Sequence, residues 1–511
     1  MPANPLTADQ ETADAAFAGW LSAPADGSPF VLSGYAGTGK TFLSMRFLAL
    51  AEAKGLCWTV AAPTHKAVGV LRGYLEAAGL RPTWYPSTIH RLLRLKLRRE
   101  RDQERCEETA QTAAALEHLA LVLIDEASMV DSALLEIALR CAHPFRTRLV
   151  FVGDPAQLPP VGEPESPVFT LGRACSSQLH QVVRHQGPVL RLAAGLRGGQ
   201  LPCRLPPVLP PVATALGRVA LLERSAWLAE AQAALREAAV SEDPDRARLL
   251  CYTNRSLERL VPIARRALHG AMADQLPVLP GEVLITRAAV MAPACRRGEE
   301  QGEEPDLLLG SNRELVVRDV TPERCDLADF GVGGGSEPSP PVIETLTAAV
   351  EAGEARFELR LLPPIGSRPR QELEAVLQRL REQARAAGRQ EGKALWRRFF
   401  LVRDAFASLG PAAVLTVHRS QGSTFGEVFV EADVFRPSDE RLRRQLVYVA
   451  VSRARRGVVL AAGSGTAPER RRWGEWLVGG DGGNGNDGRQ SPGDGDAVPR
   501  KTVTDAHTNP W

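Results

Sequence analysis

The stretch that decides the fold is Gly34-Tyr35-Ala36-Gly37-Thr38-Gly39-Lys40-Thr41, which fits the pattern G-x-x-x-x-G-K-[ST]. The apolar, strand-like residues 30–33 precede it, and residues 42–50 carry the hydrophobic spacing of a buried helix. A strand, a glycine loop and a helix form the context of a phosphate-binding loop. Lys40 is predicted to reach the β- and γ-phosphates of a nucleotide, and Thr41 to bind Mg²⁺.

The choice of lysine at position 40 supports this interpretation. Only six of the 62 Lys and Arg residues are lysines. A chain that places arginine at nearly every cationic position keeps lysine here, where a compact ammonium fits and a planar guanidinium does not.

The composition limits the class of protein. A chain of 511 residues with 44% hydrophobic content predicts two to four domains with real cores. The net charge is only +2, so any nucleic-acid surface has to be local. The eight cysteines are scattered singly, which argues against zinc or iron–sulfur binding and against a disulfide framework. No signal peptide or membrane-spanning stretch is recognised, and we expect a cytoplasmic protein.

A second predicted strand supplies carboxylates for the same site. The apolar run Leu119–Ile124 is typical of a strand buried on both faces, and it ends in Asp125 and Glu126. In a phosphate-loop enzyme, Asp125 would hold Mg²⁺ and Glu126 would deprotonate the attacking water. A third strand, residues 149–152, leads to a proline-rich turn that would aim the amide of Gln157 at the γ-phosphate or the water.

Further predicted strands end in polar residues suited to nucleic acid. Trp58–Ala62 is followed by Pro63, Thr64 and His65, which are suited to phosphate-backbone contacts. Residues 91–105 carry seven basic and three acidic side chains, typical of a solvated helix face. The neighbouring Trp84 and Tyr85 could stack bases, although core packing is favoured for both.

A second α/β region follows a proline-rich linker at 201–211. It begins near residue 249, is interrupted from about 286 to 399, and resumes at 414–422, 428–430 and 448–460. The interruption contains strand-like pieces, a Gly/Ser/Pro linker at 331–341 and one amphipathic helix predicted over 371–398. The tail from 479 is too polar to pack, so we expect it to be disordered.

Taken together and in this order, the segments resemble the motif set of superfamily 1 DNA helicases of the RecD-like and Dda-like branch. The matching stretches are 34–41, 62–68, 87–90, 124–128, 152–160, 416–422 and 448–455. Gly-Asp-Pro-Ala-Gln-Leu-Pro-Pro (153–160) and Thr-Val-His-Arg-Ser-Gln-Gly-Ser-Thr-Phe (416–425) are the most restrictive of them.

The resemblance implies an α/β fold with two RecA-like P-loop NTPase motor domains, each a parallel sheet flanked by helices, and ATP between them. The first domain would comprise 1–90 and 118–200, with a short pin-like insertion at 91–117. The second would comprise 201–285 and 400–465, with a small SH3-like β-barrel and helical insertion at 286–399.

The resemblance also implies roles for individual residues. Gln10 would read adenine, and Arg184 and Arg453 would be arginine fingers. The implied catalytic set is Lys40, Glu126, Gln157, Arg184 and Arg453. The nucleotide-binding set is Gln10, Gly34, Ala36, Gly37, Thr38, Gly39, Lys40, Thr41, Arg184, Gly422 and Arg453. The DNA-binding set is Pro63, Thr64, His65, Thr88, His90, Thr416, His418, Arg419 and Ser420, and the metal ligands are Thr41 and Asp125.

The implied activity is ATP- and Mg²⁺-dependent 5′→3′ movement on single-stranded DNA and at junctions with duplex DNA. The chain departs from the family at Arg419, where lysine is usual, and at Ser452, where threonine is usual. The 91–117 insertion shows no convincing hairpin, so a translocase without strong unwinding is one alternative. A non-catalytic ATP-gated binding protein is another, and a small-molecule kinase is disfavoured by the second α/β domain.

Overall fold

The computed structural model describes residues 6–100, 103–181, 187–292, 307–333 and 341–478. Its helices are α1 Ala8–Ser22, α2 Lys40–Ala53, α3 His65–Ala78, α4 Ile89–Leu92, α5 Ser132–Ala142, α6 Pro188–Arg197, α7 Arg224–Val240, α8 Asn254–His269, α9 Met272–Gln275, α10 Arg368–Ala386, α11 Arg389–Asp404, α12 Glu440–Ser452 and α13 Ala467–Val478. None of these helices is both long and apolar enough to cross a membrane.

The strands form three larger sheets and two hairpin-sized pairs. They are β1 Phe30–Gly34, β2 Trp58–Ala62, β3 Ser87–Thr88, β4 Lys96–Glu100, β5 Gln103–Glu107, β6 Leu121–Ile124, β7 Arg148–Gly153, β8 Cys175–Leu179, β9 Leu209–Thr214, β10 Gly217–Glu223, β11 Ala247–Cys251, β12 Val283–Thr286, β13 Val290–Met291, β14 Leu307–Leu309, β15 Glu314–Asp326, β16 Val342–Ala352, β17 Ala355–Arg360, β18 Leu409–Pro411, β19 Val414–Thr416, β20 Phe425–Val430 and β21 Ala454–Ala462.

The first sheet is parallel throughout, in the order β3-β2-β6-β7-β1-β8. Its central strands are apolar on both faces, and β2 and β6 are buried along their whole length. Separate hydrophobic clusters cover the two faces, as a sheet sandwiched between helices requires. The ends of β6, β7 and β1 therefore meet along one edge, which is where such sheets bind ligands.

The N-terminal helix is fastened to this sheet at its first turn. Thr7 caps α1 and forms a capping box with Gln10. The Asp9 carboxylate accepts hydrogen bonds from the backbone N–H groups of His180 and Gln181, at 2.7 and 2.9 Å, just after β8. The start of α1 is thereby held beside the edge strand, and Gln10 is buried.

The 91–117 insertion corrects one expectation from the sequence. Strands β4 and β5 form an antiparallel pair with Lys96 opposite Glu107 and Glu100 opposite Gln103, so the insertion does contain a hairpin. The run of arginines concealed it, because apolar and polar residues do not alternate along this stretch of sequence as they do in a typical strand.

The second sheet has the order β19-β11-β20-β21-β10-β9, with only β9 antiparallel. Helix α6 lies in its core: Leu192 and Leu196 pack with Tyr448, Val458 and Leu460. The sequence had assigned α6 to the first domain, with a boundary at 200. The predicted linker at 201–211 also contributes to this domain, since Leu201 and Cys203 are buried in the same core and β9 begins at Leu209.

The insertion of the second domain is a five-stranded antiparallel sheet in the order β17-β16-β15-β12-β18. Its two edges approach each other at Ala407, whose N–H donates to Arg360 and whose carbonyl accepts from Leu362, at 2.7 and 3.0 Å. The sheet begins at β12 and ends at β18, so it extends beyond the predicted bounds 286–399 on both sides.

The single helix predicted over 371–398 is wrong. Two helices, α10 and α11, are separated at Ala387 and Gly388, and both contribute to one core with Leu373, Val376 and Phe399. Gly388 caps the second helix, and the sequence pattern missed this break because the apolar spacing continues on both sides. The tail from 479 and most of the predicted 331–341 linker lie outside the described residues.

Candidate functional site: a nucleotide cleft and a polar cleft across two domains

The predicted phosphate loop has the required local structure. Strand β1 ends at Gly34 and α2 begins at Lys40, with Gly37 and Gly39 in left-handed conformation at φ 85° and 86°. Glycine adopts this conformation without steric cost, whereas other residues do not. The Lys40 ammonium lies within the loop, where it donates to the carbonyls of Gly34 and Tyr35 at 2.7 and 3.0 Å.

Two close approaches shape the loop from outside. A Cβ atom added to Gly34 would lie 2.8 Å from Thr38 Oγ1 and 3.0 Å from Leu179 Cβ, so only glycine fits there. The buried Gln10 donates from its side-chain amide to the Thr38 carbonyl at 3.0 Å, and its amide oxygen accepts from the Thr7 N–H. Gln10 therefore lies beside the loop and supports it, while its reading of adenine stays a prediction.

The acidic pair lies at the end of β6, two strands away from the loop. Burial and the adjacent Glu126 carboxylate raise the pKa of Asp125 to about 7, while the Lys40 charge acts in the opposite direction. Glu126 has a left-handed backbone at φ 53°, and its N–H donates to Asp125 Oδ1 at 2.8 Å. Such a conformation is uncommon for a residue other than glycine and is typical of functional turns.

The turn after β7 contributes an amide with an unused acceptor. Gln157 is buried, and its Oε1 atom has no hydrogen-bond partner among the described residues. Buried acceptors in native proteins are nearly always satisfied, so an unsatisfied one indicates a ligand or water at that position. This agrees with the predicted role of Gln157 beside the γ-phosphate or the attacking water.

These features fit a magnesium nucleotide. The left-handed glycines, the enclosed Lys40, the unused Gln157 oxygen and the raised pKa of Asp125 all favour a ligand that combines anionic phosphates with a divalent cation. Thr41, in the first turn of α2, and Asp125 are the residues that would hold the cation. Among the described residues, no group of three or more His, Cys, Asp or Glu residues could hold a metal by itself.

The second domain reaches this site through the end of α12. The Tyr448 hydroxyl accepts a hydrogen bond from the Ala36 N–H at 2.9 Å and donates to Asp154 Oδ2 at 2.7 Å. Burial and the Asp154 carboxylate raise the pKa of Tyr448, so the hydroxyl keeps its proton and remains a donor. Tyr448 and Asp154 both lie in matching motif stretches, but the motifs imply no role for either residue.

Of the two predicted arginine fingers, the structure describes only Arg453. Arg453 ends α12 and is buried, and its guanidinium donates to the Val449 and Ser423 carbonyls at 3.2 and 3.3 Å, within its own domain. The role of Arg453 as a finger stays a prediction that requires a change of rotamer or of domain position. Arg184 lies outside the described residues.

A separate polar cleft, a space of only about 10 Å³ with room for one water molecule, is lined by several of the predicted DNA-binding residues. Thr64 of the first domain and His418 and Arg419 of the second line it together, with Asn312 of the insertion. Gly422 of the second domain lies close to Thr64 of the first, since a Cβ added to Gly422 would be 3.2 Å from Thr64 Oγ1. Its contacts are thus with the start of α3, and its assignment to the nucleotide site stays a prediction.

His65 lies beside the same cleft in positive surroundings. A Cβ added to Gly310 of the insertion would lie 2.7 Å from His65 Nε2, so the insertion covers this histidine closely. Burial lowers the pKa of His65, and the charges of Arg313, Arg91 and Arg72 lower it further. The cluster supplies the local basic surface that the net charge of the chain does not reveal.

The other predicted DNA-binding residues play local structural roles as well. Thr88 caps α4, and His90 in that helix is half-buried. Thr416 is buried at the end of β19. Ser420 is fully buried and donates to the Val417 carbonyl at 2.7 Å, so its side chain does not reach a surface. Pro63 precedes the capping residue of α3.

An ion-pair cluster joins the three parts of the chain beside this cleft, and sequence analysis missed it. Lys66 contacts Glu314 of the insertion at 2.9 Å and Asp245 of the second domain at 3.4 Å. Arg248 also pairs with both carboxylates. The rarity of lysine in the chain was the available signal, because Lys66 is one of only six.

The fold and the site define a P-loop NTPase with two stacked α/β domains. Comparisons with known proteins agree with this class. A family model described as an AAA domain matches residues 20–203, and one described as a UvrD-like helicase C-terminal domain matches residues 411–461. The chain is similar to superfamily 1 helicases of the Dda- and RecD-like branch, which indicates an ATP-hydrolysing enzyme.

Individual relatives include the ATP-dependent DNA helicase Dda of Enterobacteria phage T4, which is 24% identical over 83% of this chain and 92% of its own length. The ATP-dependent RecD2 DNA helicase of Deinococcus radiodurans is 35% identical over 34% of this chain and 22% of its own length. A crystal structure of Pif1 helicase from Bacteroides, in complex with ADP-AlF3 and ssDNA, has a TM-score of 0.44 and 14% identity, with 90% of this chain and 93% of that chain covered.

Proposed function

We propose that this protein is an ATP-dependent DNA helicase that translocates 5′→3′ on single-stranded DNA and unwinds duplexes at junctions. The observation that carries the proposal is that the two α/β domains meet at two places, each with predicted functional residues. One is the phosphate loop with its acidic pair, which Tyr448 contacts from the second domain. The other is the polar cleft with Thr64 on one side and His418 and Arg419 on the other.

This arrangement links hydrolysis to movement. Lys40 and the loop N–H groups would bind the phosphates of ATP, and Glu126 would take the proton from the attacking water. Bound Mg²⁺, held by Thr41 and Asp125, would neutralise phosphate charge. Because the two domains meet at both places, a change in domain separation on hydrolysis alters both together. A strand gripped by both domains would then be passed along in one direction.

The β4–β5 hairpin favours unwinding over translocation alone. It follows closely in the chain after α4, which carries the predicted DNA-binding residue His90, so we place it near the proposed path of the DNA. A hairpin at that position could separate strands as the motor advances. The alternative, a translocase without strong unwinding, was based on the expected absence of a hairpin in the 91–117 insertion. Because β4 and β5 form a hairpin there, that reason no longer applies.

The test is unwinding of matched duplexes that carry either a 5′ or a 3′ single-stranded tail. We expect ATP- and Mg²⁺-dependent displacement from the 5′-tailed duplex, at least tenfold faster than from the 3′-tailed one, and none from Lys40→Ala. A preference for the 3′ tail would overturn the assigned direction. Translocation without displacement would favour the translocase, and the absence of DNA-stimulated ATP hydrolysis would favour an ATP-gated binding protein.

A further inference from the structure

The first half of the phosphate loop is contacted twice by the second domain. Tyr448, near the end of α12, accepts from the Ala36 N–H, and Arg197, at the end of α6, lies over the Tyr35 ring with its guanidinium carbon 3.5 Å from the ring centre. Neither contact involves a residue that the motif set assigns to catalysis, and they come from two different helices.

The Tyr448 hydroxyl is part of a buried series of hydrogen bonds that links the phosphate loop to Asp154. The hydroxyl uses its acceptor on the loop and its donor on Asp154 Oδ2, while Asp154 Oδ1 accepts from the Ala156 N–H at 3.0 Å. Tyr448 and Asp154 are both almost completely buried. One phenol therefore connects the end of β1, the turn after β7 and the second domain, and none of its polar capacity is directed to solvent.

The position of this series of hydrogen bonds matters for the nucleotide. Ala36 directly precedes Gly37, where the loop turns into its left-handed conformation, and Asp154 begins the turn that carries Gln157. Holding Ala36 and Asp154 at a common hydroxyl sets the distance between the phosphate loop and the Gln157 turn. Because the hydroxyl belongs to the second domain, that distance depends on where the second domain lies.

We propose that Tyr448 is a positioning residue that shapes the phosphate loop from the second domain, with Arg197 as its partner over Tyr35. The inference rests on the proposed function, because it concerns the same nucleotide site. When the domains separate, the loop loses both contacts and binds ATP more weakly. When they close, the loop regains the shape that binds ATP tightly, so that domain closure and nucleotide affinity are coupled.

The decisive variant is Tyr448→Phe, which keeps the buried ring and removes both hydrogen bonds. We expect the KM for ATP to rise about tenfold with single-stranded DNA present, the value of one or two hydrogen bonds, while kcat changes by less than about threefold. The Kd of a fluorescent ATP analogue with Mg²⁺ should rise by the same factor. Tyr74→Phe, which removes an exposed hydroxyl on α3, is the matched control and should leave both constants unchanged.

A purely structural role gives a different result. In that case Tyr448→Phe lowers the melting temperature while the KM and Kd of the folded protein stay at the wild-type values, and the proposal is overturned. Arg197→Gln, at a half-buried position, tests the second contact without touching the buried series of hydrogen bonds. It should raise KM and Kd about threefold, and unchanged values would remove Arg197 from the proposal.

The binding measurement also separates this inference from the proposed function. If the wild-type protein bound the analogue but did not hydrolyse ATP, the helicase proposal would fail, whereas the Kd values of Tyr448→Phe and Tyr74→Phe would still decide the role of Tyr448. If hydrolysis and unwinding were normal in Tyr448→Phe at low ATP concentration, the helicase proposal would stand and the positioning role would be overturned.

Discussion

The fifth strands of the two α/β sheets, β1 and β10, occupy the same place in the strand order but end differently. After β1 the loop Tyr35–Gly39 intervenes, with two left-handed glycines, before α2 begins at Lys40. After β10 the chain passes directly from Glu223 into α7 at Arg224. The connection between β1 and α2 can enclose an anion with backbone N–H groups. The connection between β10 and α7 has no loop, and Glu223 places a carboxylate there.

This difference shows that the two domains share an architecture and divide the chemistry. Only the first sheet combines a glycine loop with acidic residues at the ends of adjacent strands. The second sheet contributes through the end of α12, where Tyr448 meets the loop and Arg453 follows five residues later. We expect such an asymmetric pair to bind one nucleotide and to respond to it by a movement of the second domain.

Among the variants that test how the two domains divide the chemistry, Glu126→Gln is expected to have the largest effect. It removes the base of the first sheet while the loop is left intact, so turnover should fall by about 10²–10⁴-fold with nucleotide affinity retained. Steady-state ATP hydrolysis and analogue binding measure the two quantities. Glu117→Gln, on an exposed surface of the same domain, is the control. Retained turnover in Glu126→Gln would show that the base lies elsewhere.

Arg453→Ala tests the contribution of the second sheet. If Arg453 reaches the γ-phosphate on closure, turnover should fall at least about 10²-fold while ATP still binds, because an arginine finger acts mainly on the transition state. Single-turnover hydrolysis and analogue binding separate these effects. Arg453→Lys keeps the charge but not the planar fork and should recover little of the rate. Near-normal turnover of Arg453→Ala would leave Arg453 with its present bonds to Val449 and Ser423 as its only role.

A smaller effect concerns two histidines at the first sheet, His65 and His90. Burial lowers the pKa of both, so the unfolded chain, with histidine near pH 6.5, binds more protons than the folded one. The free energy of unfolding should therefore decrease as the pH falls from 7.5 to 6.0. Urea midpoints at the two pH values measure this. The double variant His65→Gln with His90→Gln should show a flatter dependence, and an equal slope would contradict the assignment.

The smallest effect is expected at the direct connection between β10 and α7, which has no loop. Glu223→Gln removes the carboxylate at the start of α7 but creates no loop, so nucleotide stoichiometry should stay at one per chain with unchanged affinity. Titration with the fluorescent ATP analogue checks this, with Lys40→Ala as the variant that loses the site. A second binding event in Glu223→Gln would show that charge alone, rather than the missing loop, separates the two sheets.

The sequence predicted those parts of the fold whose local pattern is unambiguous. The strand Trp58–Ala62 was located to the residue. The hairpin at 96–107 was missed because its arginine-rich segments lack the apolar alternation that marks a strand. The break at Ala387 was missed because the apolar spacing continues on both sides of it. Helix α6 was expected in the first domain, whereas Leu192 and Leu196 pack with residues of the second sheet, because an apolar stripe does not say which sheet it covers.

Some residues of the candidate site could likewise be named from the sequence, whereas others could not. Lys40, Asp125 and Glu126 could be named from the sequence, because phosphate loops and acidic strand ends depend on residues close together in the chain. Tyr448 with Asp154, and Lys66 with Glu314, join residues far apart in the chain. Their partners become visible only when the second domain is packed against the first.

By itself, the sequence determined that this protein has a phosphate loop, an acidic pair and the motif order of a two-domain helicase. These features are local, and each follows from residue types at fixed spacing. Only the tertiary structure decided that Ala36 shares the Tyr448 hydroxyl with Asp154, that Arg453 is bonded within its own domain, and that Ser420 is buried. Contacts between distant segments depend on how the sheets and helices pack, and no local pattern encodes that packing.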